Sequence, residues 1–330
     1  MCSFIMHYSN KITPYILLLS CLFCGCSNTT TYTSPSGQGI SMTLAGLYPS
    51  RAGESYALWL EFPKNAIGNK QNQIQHSGSI RKLVSVFRVS SDGSVTGMDT
   101  TNLVVKLGFP LALANHAIIS VERTDSIGST SRAAFLGGDI TGDVSTGTST
   151  LQASNDDGLN FGFTTLQAAA TLANAPGKPA NELELYLMHA TSQVQTSPSI
   201  NSLPLLPDPW HYALWAVDSS VKTLPPFNIY YGTFILPGGI PPDSKPEDNH
   251  YNYPGGRYPA DSTKPCYDLH SGRVAVMMTL EPIADGVRPA TPFGAIILQT
   301  TIPATAQGFS PIDLTNIAAL FPTVSLIIHR

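Results

Sequence analysis

Cys266 and His270 stand four residues apart in "KPCYDLH", a thiol and an imidazole close enough in sequence to suggest nucleophilic catalysis. The stretch is rich in Pro and Gly, so the spacing reflects a loop rather than a shared helix face, and no G-x-S-x-G elbow accompanies it. Glu122 in "AIISVER" and Glu281 in "MMTLEP" are the acids with a partner elsewhere in the chain, and an acid pair is what glycoside hydrolysis requires. Each sits at a strand end with an arginine nearby in sequence (Arg123, Arg288), which predicts a solvated or ion-paired carboxylate. Calcium chemistry needs several oxygen ligands in one compact loop. Asp139 and Asp143 in "GGDITGD", with Asp156 and Asp157 in "SNDDG", offer oxygens, but neither run has the EF-hand register, and Asp beside Gly is ordinary turn chemistry. The eight histidines are dispersed, without the paired spacing of a zinc site. His250 and His270, with Asp248 and Asp268, share one long loop as the nearest approach to a metal set. The residues therefore point to no catalytic constellation, no metal and no cofactor.

The stretch with the composition of a recognition loop is "DNHYNYPGGRYP". His250, Tyr251, Tyr253, Arg257 and Tyr258 combine tyrosine area, which costs little side-chain entropy, with a cation and two glycines. These five are the candidate ligand-binding residues.

The elements that would position such a loop are short strands. "SMTLAGLY", "YALWLEF", "KLVSVFRVS", "LVVKLGF", "AIISVER" and "AAFLGGDI" are each β-branched or aromatic runs bounded by turn signals, and Asp92-Gly93 is a hairpin dipeptide. A polar Gly-rich passage follows, read as loop or meander, then "ELELYLMHA" as a strand. Helices are expected in two places: "TLQAAATLANA" (165–175) and "SPIDLTNIAALF" (310–321), the second with Ser310 as N-cap and Pro311 in the first turn. The closing "TVSLIIHR" is expected to complete the sheet of the second half.

"YALW" occurs at Tyr56–Trp59 and again at Tyr212–Trp215, an offset of 156 (212 − 56). Aligning Glu122 with Glu281 gives 159 (281 − 122). Two distant anchors with almost one offset indicate a tandem duplication. Within each copy Tyr and Leu share one strand face while Ala and Trp share the other, so both faces are expected to be buried. The fold expected is all-β: two tandem related β-sandwich-like domains with few short helices, over 40–198 and 199–330.

The N-terminal segment reads as an export signal. Lys11 precedes the apolar "PYILLLSCLFCG", and "CSNTTTYTSPSGQG" after it is wholly polar. Gly25-Cys26 resembles the cleavage and acylation point of a bacterial lipoprotein, giving residues 1–25 as signal, Cys26 as the lipid attachment and 26–39 as a flexible tether. Cys21 after "LLS" is the alternative site, and an ordinary cleaved signal or a short membrane anchor the alternative reading. Four of the five cysteines lie in this segment, leaving Cys266 without a partner for an internal disulfide. Charged residues are 12% and the net charge is −4, so there is no basic footprint for nucleic acid.

"YALWL" (56–60), "DGSV" (92–95), "YALW" (212–215) and "MTLEPIADGVRPATP" (278–292) together resemble the extracytoplasmic C-terminal domain of the anti-sigma-K factor family. In that family a sigma-binding helical segment and a membrane-spanning helix precede the domain. Here the residues before Ile40 read as lipoprotein signal and tether, and the first repeat has "SVERTDSIGSTSR" where the second has "TLEPIADGVRPAT". The resemblance implies a β-sandwich outside the cytoplasm without sigma-factor inhibition, and supplies no catalytic residue. The functional expectation is a non-enzymatic, lipid-anchored envelope protein, directed to the outer membrane by Ser27 after the lipidated cysteine, binding an envelope protein or a glycan. The other expectation is an extracytoplasmic sensor acting in trans on a membrane partner.

Overall fold

A computed structural model describes residues 29–32, 39–63, 75–76, 79–125, 127–128, 133–143, 145–155, 158–159, 163, 166, 168–174, 183–188, 204, 206–218, 227–234, 269, 272–282, 291–306, 312–318 and 321–329. Cys26, the recognition-loop residues from His250 to Tyr258, Cys266 and His270 lie outside them. The chain is all-β, and among the described residues the regular elements are antiparallel strands apart from short helical turns.

In the first half, β3 (Glu54–Pro63) lies between β5 (Ser79–Val89) and β7 (His116–Arg123), with β8 (Ala133–Asp139) beyond β7. β4 (Gln75–His76) and β6 (Val95–Thr96) pair with β5. In the second half, β13 (Trp210–Asp218) lies between β14 (Phe227–Phe234) and β15 (Val274–Pro282), with β16 (Ile296–Thr301) beyond. The orders β5-β3-β7-β8 and β14-β13-β15-β16 correspond strand for strand. The irregularities correspond too: the ladder shifts between Leu58 and Trp59 and between Leu214 and Trp215. It shifts again between Ile119 and Ser120 and between Met278 and Thr279. Bulges re-aim side chains and are built in rather than accidental, so their recurrence at the expected offsets is structural evidence of duplication.

The remaining strands are traded between the halves. β10 (Thr146–Leu151) follows β8 and bridges back to it through Gly137 and Gln152; β17 (Ile312–Asn316) pairs with β16 in the corresponding place. The strand after β10 is β11 (Ala168–Asn174), which pairs with β17 of the second half. The strand after β17 is β18 (Thr323–His329), which pairs with β10 of the first. On their far sides β11 meets β12 (Leu183–Met188) and β18 meets β2 (Gly39–Ala45). Divided after β11, each half thus donates its last strand to the other, and β12 stands beside β11 as β2 stands beside β18. The second half forms a continuous seven-stranded sheet. In the first half, the same path divides into a six-stranded sheet and a five-stranded one, β1 (Thr29–Tyr32), β2, β18, β10 and β9 (Thr141–Gly142). At that division Gly138 passes so close to β10 that a Cβ there would lie 2.5 Å from the Thr150 carbonyl oxygen.

Several expectations are corrected here. "TVSLIIHR" completes a sheet with β2 and β10, not the sheet of the second half. Residues 168–174 and 312–316 are strands within the segments expected to be helical. The Ala-rich run has good helix propensity, but pairing on both edges overrides it. "IDLTN" alternates buried and exposed, the period of a strand. Conversely "LVVKL" is a one-turn helix, α1 (Leu103–Leu107): Leu103 and Leu107, four apart, are buried, and left-handed Asn102 and Gly108 close its ends. Part of the expected tether is strand β1, whose Thr30 hydroxyl donates to the Gly93 carbonyl at 2.7 Å.

Both faces of the repeated strands are buried. Tyr56, Leu58 and Leu60, with Tyr212 and Leu214, enter one large core to which both halves contribute. The opposite face carries a small cluster in each half: Ala57, Trp59 and Ile118 in one, Ala213, Trp215 and Met277 in the other. Where the halves meet, Tyr48 and Phe135 pack against Trp210 and Phe293, with Tyr48 and Phe293 edge-on at 5.7 Å.

Candidate functional site

The residues singled out for acid-base chemistry are wired into the framework. Trp59 Nε1 donates to Ser120 Oγ at 2.8 Å, and that hydroxyl donates to Glu122 Oε1 at 2.6 Å. In the second half Trp215 Nε1 donates to Thr279 Oγ1 at 3.0 Å, which donates to Glu281 Oε1 at 2.6 Å. A hydroxyl that accepts from an indole and donates to a carboxylate satisfies three buried polar groups in one chain. The tyrosines are duplicated likewise: Tyr56 donates to the Tyr48 carbonyl and Tyr212 to the Pro204 carbonyl, each eight residues upstream. Burial raises both phenols above their ordinary range.

The expectation of solvated glutamates fails, and Arg288, the arginine expected near Glu281, lies outside the described residues. Glu122 is 3% exposed and Glu281 1%, while Arg123 pairs with Asp125. Glu281 accepts from the Phe293 amide at 2.9 Å and, through Oε2, from Arg51 Nη1 at 2.6 Å. Arg51 also forks onto Glu54, donates to the Thr291 carbonyl and lies over the Phe293 ring at 5.4 Å. One guanidinium from the first half thereby ties a carboxylate, a carbonyl and a ring of the second. Burial pushes the Glu281 carboxyl above its usual range, and Arg51, Thr279 and the Phe293 amide pull it part of the way back. Burial draws the Arg51 guanidinium down, but Glu281 and Glu54 outweigh it and hold it above its ordinary value. Nothing in the residue pattern around Arg51 announced this role, because its partner is 230 positions away.

Internal duplication allows the two halves to be compared as two sequences on one framework. One row differs sharply. In the first half Arg81, Glu61, His116 and Asp139 are neighbours across four strands. The corresponding row of the second is Asn228, Val217, Ala275 and Thr301. Arg81 donates to Glu61 Oε1 at 2.7 Å, Ser79 donates to Glu61 Oε2 at 2.9 Å, and His116 Nδ1 lies 2.9 Å from Asp139 Oδ1. Glu61 and His116 are buried, while the Asp139 side chain is 86% exposed. Across this row the shared framework carries different chemistry in the two halves. Sequence reading missed it, since its members come from four separate strands.

Of the aspartates considered for calcium, Asp139 faces His116 and Asp143 Oδ1 accepts from the Ser145 and Thr146 amides, closing its own turn. Asp156 and Asp157 lie outside the described residues. Among the described residues no three His, Cys, Asp or Glu side chains are grouped as a metal site.

No family model, curated protein or solved structure matches this chain.

Proposed function

We propose that this is a non-enzymatic, lipid-anchored protein of the bacterial envelope whose duplicated β-framework serves binding or scaffolding of a protein or a glycan. The observation that carries this reading is the use made of the two repeat-equivalent acids. Glu122 and Glu281 are buried, each holding the hydroxyl that holds a tryptophan, which is a supporting role rather than that of an acid presented to a substrate. Cys26 would carry the acyl anchor, and several acyl chains give stable attachment to a leaflet while leaving the β-units in water. The resemblance to the anti-sigma-K extracytoplasmic domain belongs to this same proposal, as a shared scaffold rather than a shared inhibitory activity. The loop containing His250, Tyr251, Tyr253, Arg257 and Tyr258 is the proposed contact for a protein partner.

Two measurements test it. Palmitate-analogue labelling in a bacterial host should be lost in Cys26→Ala and kept in Cys21→Ala; the reverse result moves the anchor. Crosslinking and pull-down of envelope proteins should depend on residues 240–272, and an unchanged partner profile after their deletion removes the loop from the reading.

A further inference from the structure

Strand β1 fixes the start of the folded chain at one end of the five-stranded sheet. Thr29, its first residue, lies opposite Ala45, the last of β2, and Ala45 lies opposite Thr323, the first of β18. The Thr30 hydroxyl donates to the carbonyl of Gly93, in the turn between β5 and β6, at 2.7 Å, and the Tyr32 and Thr100 hydroxyls are 3.1 Å apart. Beyond Ala45 the chain continues to Tyr48, which packs on Phe293 at the seam. Gly39, His329 and Thr146 lie at the other end of the same sheet, where the turn at Ser145 enters β10. β18 is 7 residues long, so the two ends are about 20 Å apart. Cys26, the proposed acylated residue, precedes Thr29 by three positions (29 − 26). Three residues span at most about 10 Å.

We infer that the end of the molecule formed by Thr29 and the turn at 90–94 is the surface that rests on the lipid leaflet, which deepens the proposed function and rests on its anchor at Cys26. While β1 is paired, a reach of about 10 Å holds Thr29 at the headgroups, and that reach is half the length of the sheet. The anchor holds the body at this one end, so the Ser145 end projects into water. The chemistry of the end agrees with a hydrated headgroup layer. Thr29, Ser91, Asp92 and Ser94 are exposed and polar, whereas the large exposed apolar side chains, Val104, Leu113 and Ile327, belong to other segments. Arg88 and Asp92 are both exposed, one cation and one anion, so residues 88–94 carry no net charge. Such a surface suits zwitterionic headgroups and does not depend on the attraction of basic clusters to anionic lipid, which salt screens. β1 is the element that sets this height. From Cys26 to Gly39, where β2 begins, is thirteen positions (39 − 26), so unpairing β1 would lengthen the reach to about 45 Å.

The test uses the acylated protein, purified from a bacterial host and reconstituted into phosphatidylcholine vesicles that carry a nitroxide on the headgroup. In a Cys266→Ser background, a bimane probe is attached through Ser91→Cys or through Ser145→Cys, both exposed turn positions at opposite ends of the sheet. With the ends about 20 Å apart, quenching at position 91 is expected to exceed that at position 145 at least about twofold, in high salt as in low. Thr30→Pro removes the hydroxyl bond to Gly93 and a backbone donor from the edge strand, and should bring the ratio towards one by freeing the longer reach. Thr30→Val removes the hydroxyl alone and should shift the ratio in the same direction, which guards against a folding defect caused by proline. Equal quenching at the two positions, stronger quenching at 145, or a ratio that both Thr30 variants leave unchanged overturns the assigned surface, while protein that still floats with the vesicles keeps the anchored reading. Protein that does not float with the vesicles overturns both. So does an acyl label that follows Cys21, which stands eight positions (29 − 21) from Thr29, a reach of about 27 Å that would fix neither end of the sheet.

Discussion

Arg51 Nη1 donates to Glu281 Oε2 at 2.6 Å, joining side chains 230 residues apart at the seam between the two halves. Both groups are largely withdrawn from water, with side-chain exposures of 14% and 1%. In that setting the attraction mainly offsets desolvation, and the large effect comes from removing one partner. Arg51→Ala is expected to cost about 3–5 kcal/mol in urea unfolding, since it leaves Glu281 buried without its cation. Arg51→Lys should recover little of it, because an ammonium cannot keep the fork on Glu54 while reaching Glu281. A loss below 1 kcal/mol in Arg51→Ala would show that the seam is held by the aromatic cluster alone.

Glu281 also makes a pH prediction. Its folded-state pKa lies above the ordinary value of 4.5, with burial as the first cause. A carboxyl raised on folding contributes stability that is fully present below 4.5 and is lost as pH rises through the folded value. The stability advantage of the wild type over Glu281→Gln should therefore be greatest near pH 4.5 and shrink towards pH 7. An advantage that grows with pH would mean that Arg51 and the two other donors outweigh burial.

The paired relays should respond alike. Ser120→Ala leaves the Trp59 indole and the Glu122 carboxylate without their shared hydroxyl, and Thr279→Val does the same to Trp215 and Glu281. Each should cost about 1–3 kcal/mol, the penalty for stranding buried polar groups. Near-UV circular dichroism should report the altered indole environment in both. A loss confined to one half would show that only one relay still supports its sheet.

The traded strands predict behaviour on cleavage. β18 supplies both edges for β2 and β10, and β11 supplies them for β12 and β17. Chain cleavage between 191 and 203 should leave two fragments that co-elute in native size exclusion and separate in denaturant. Removing residues 323–330 should instead unpair β2 and β10 together, giving a cooperative loss of strand signal rather than fraying of one edge. Fragments that part spontaneously after cleavage would mean that the exchange contributes little to cohesion.

Much of the fold was legible because strands announce themselves locally. The β3 and β13 segments have apolar residues on both faces, and both faces are buried. The nearly equal offsets of "YALW" and Glu predicted a duplication, and the matching bulges and relays carry it into three dimensions. The helical expectation for 165–175 misled because alanine reports local propensity, whereas strand pairing there is decided by β12 and β17, far along the chain.

By itself the amino-acid sequence determined the class of fold, the internal repeat and the strands that would lie at its centre, since these follow from side-chain periodicity within about ten residues. Only the tertiary structure decided which edges those strands would find. Backbone hydrogen bonds are alike at every residue, so nothing in "TVSLIIHR" states that its partners are β2 and β10 rather than the sheet of its own half. The same is true of Arg51 with Glu281 and of the Arg81-to-Asp139 row. Each is assembled from residues whose proximity exists only after strands from both halves, or from distant parts of one, have been laid side by side.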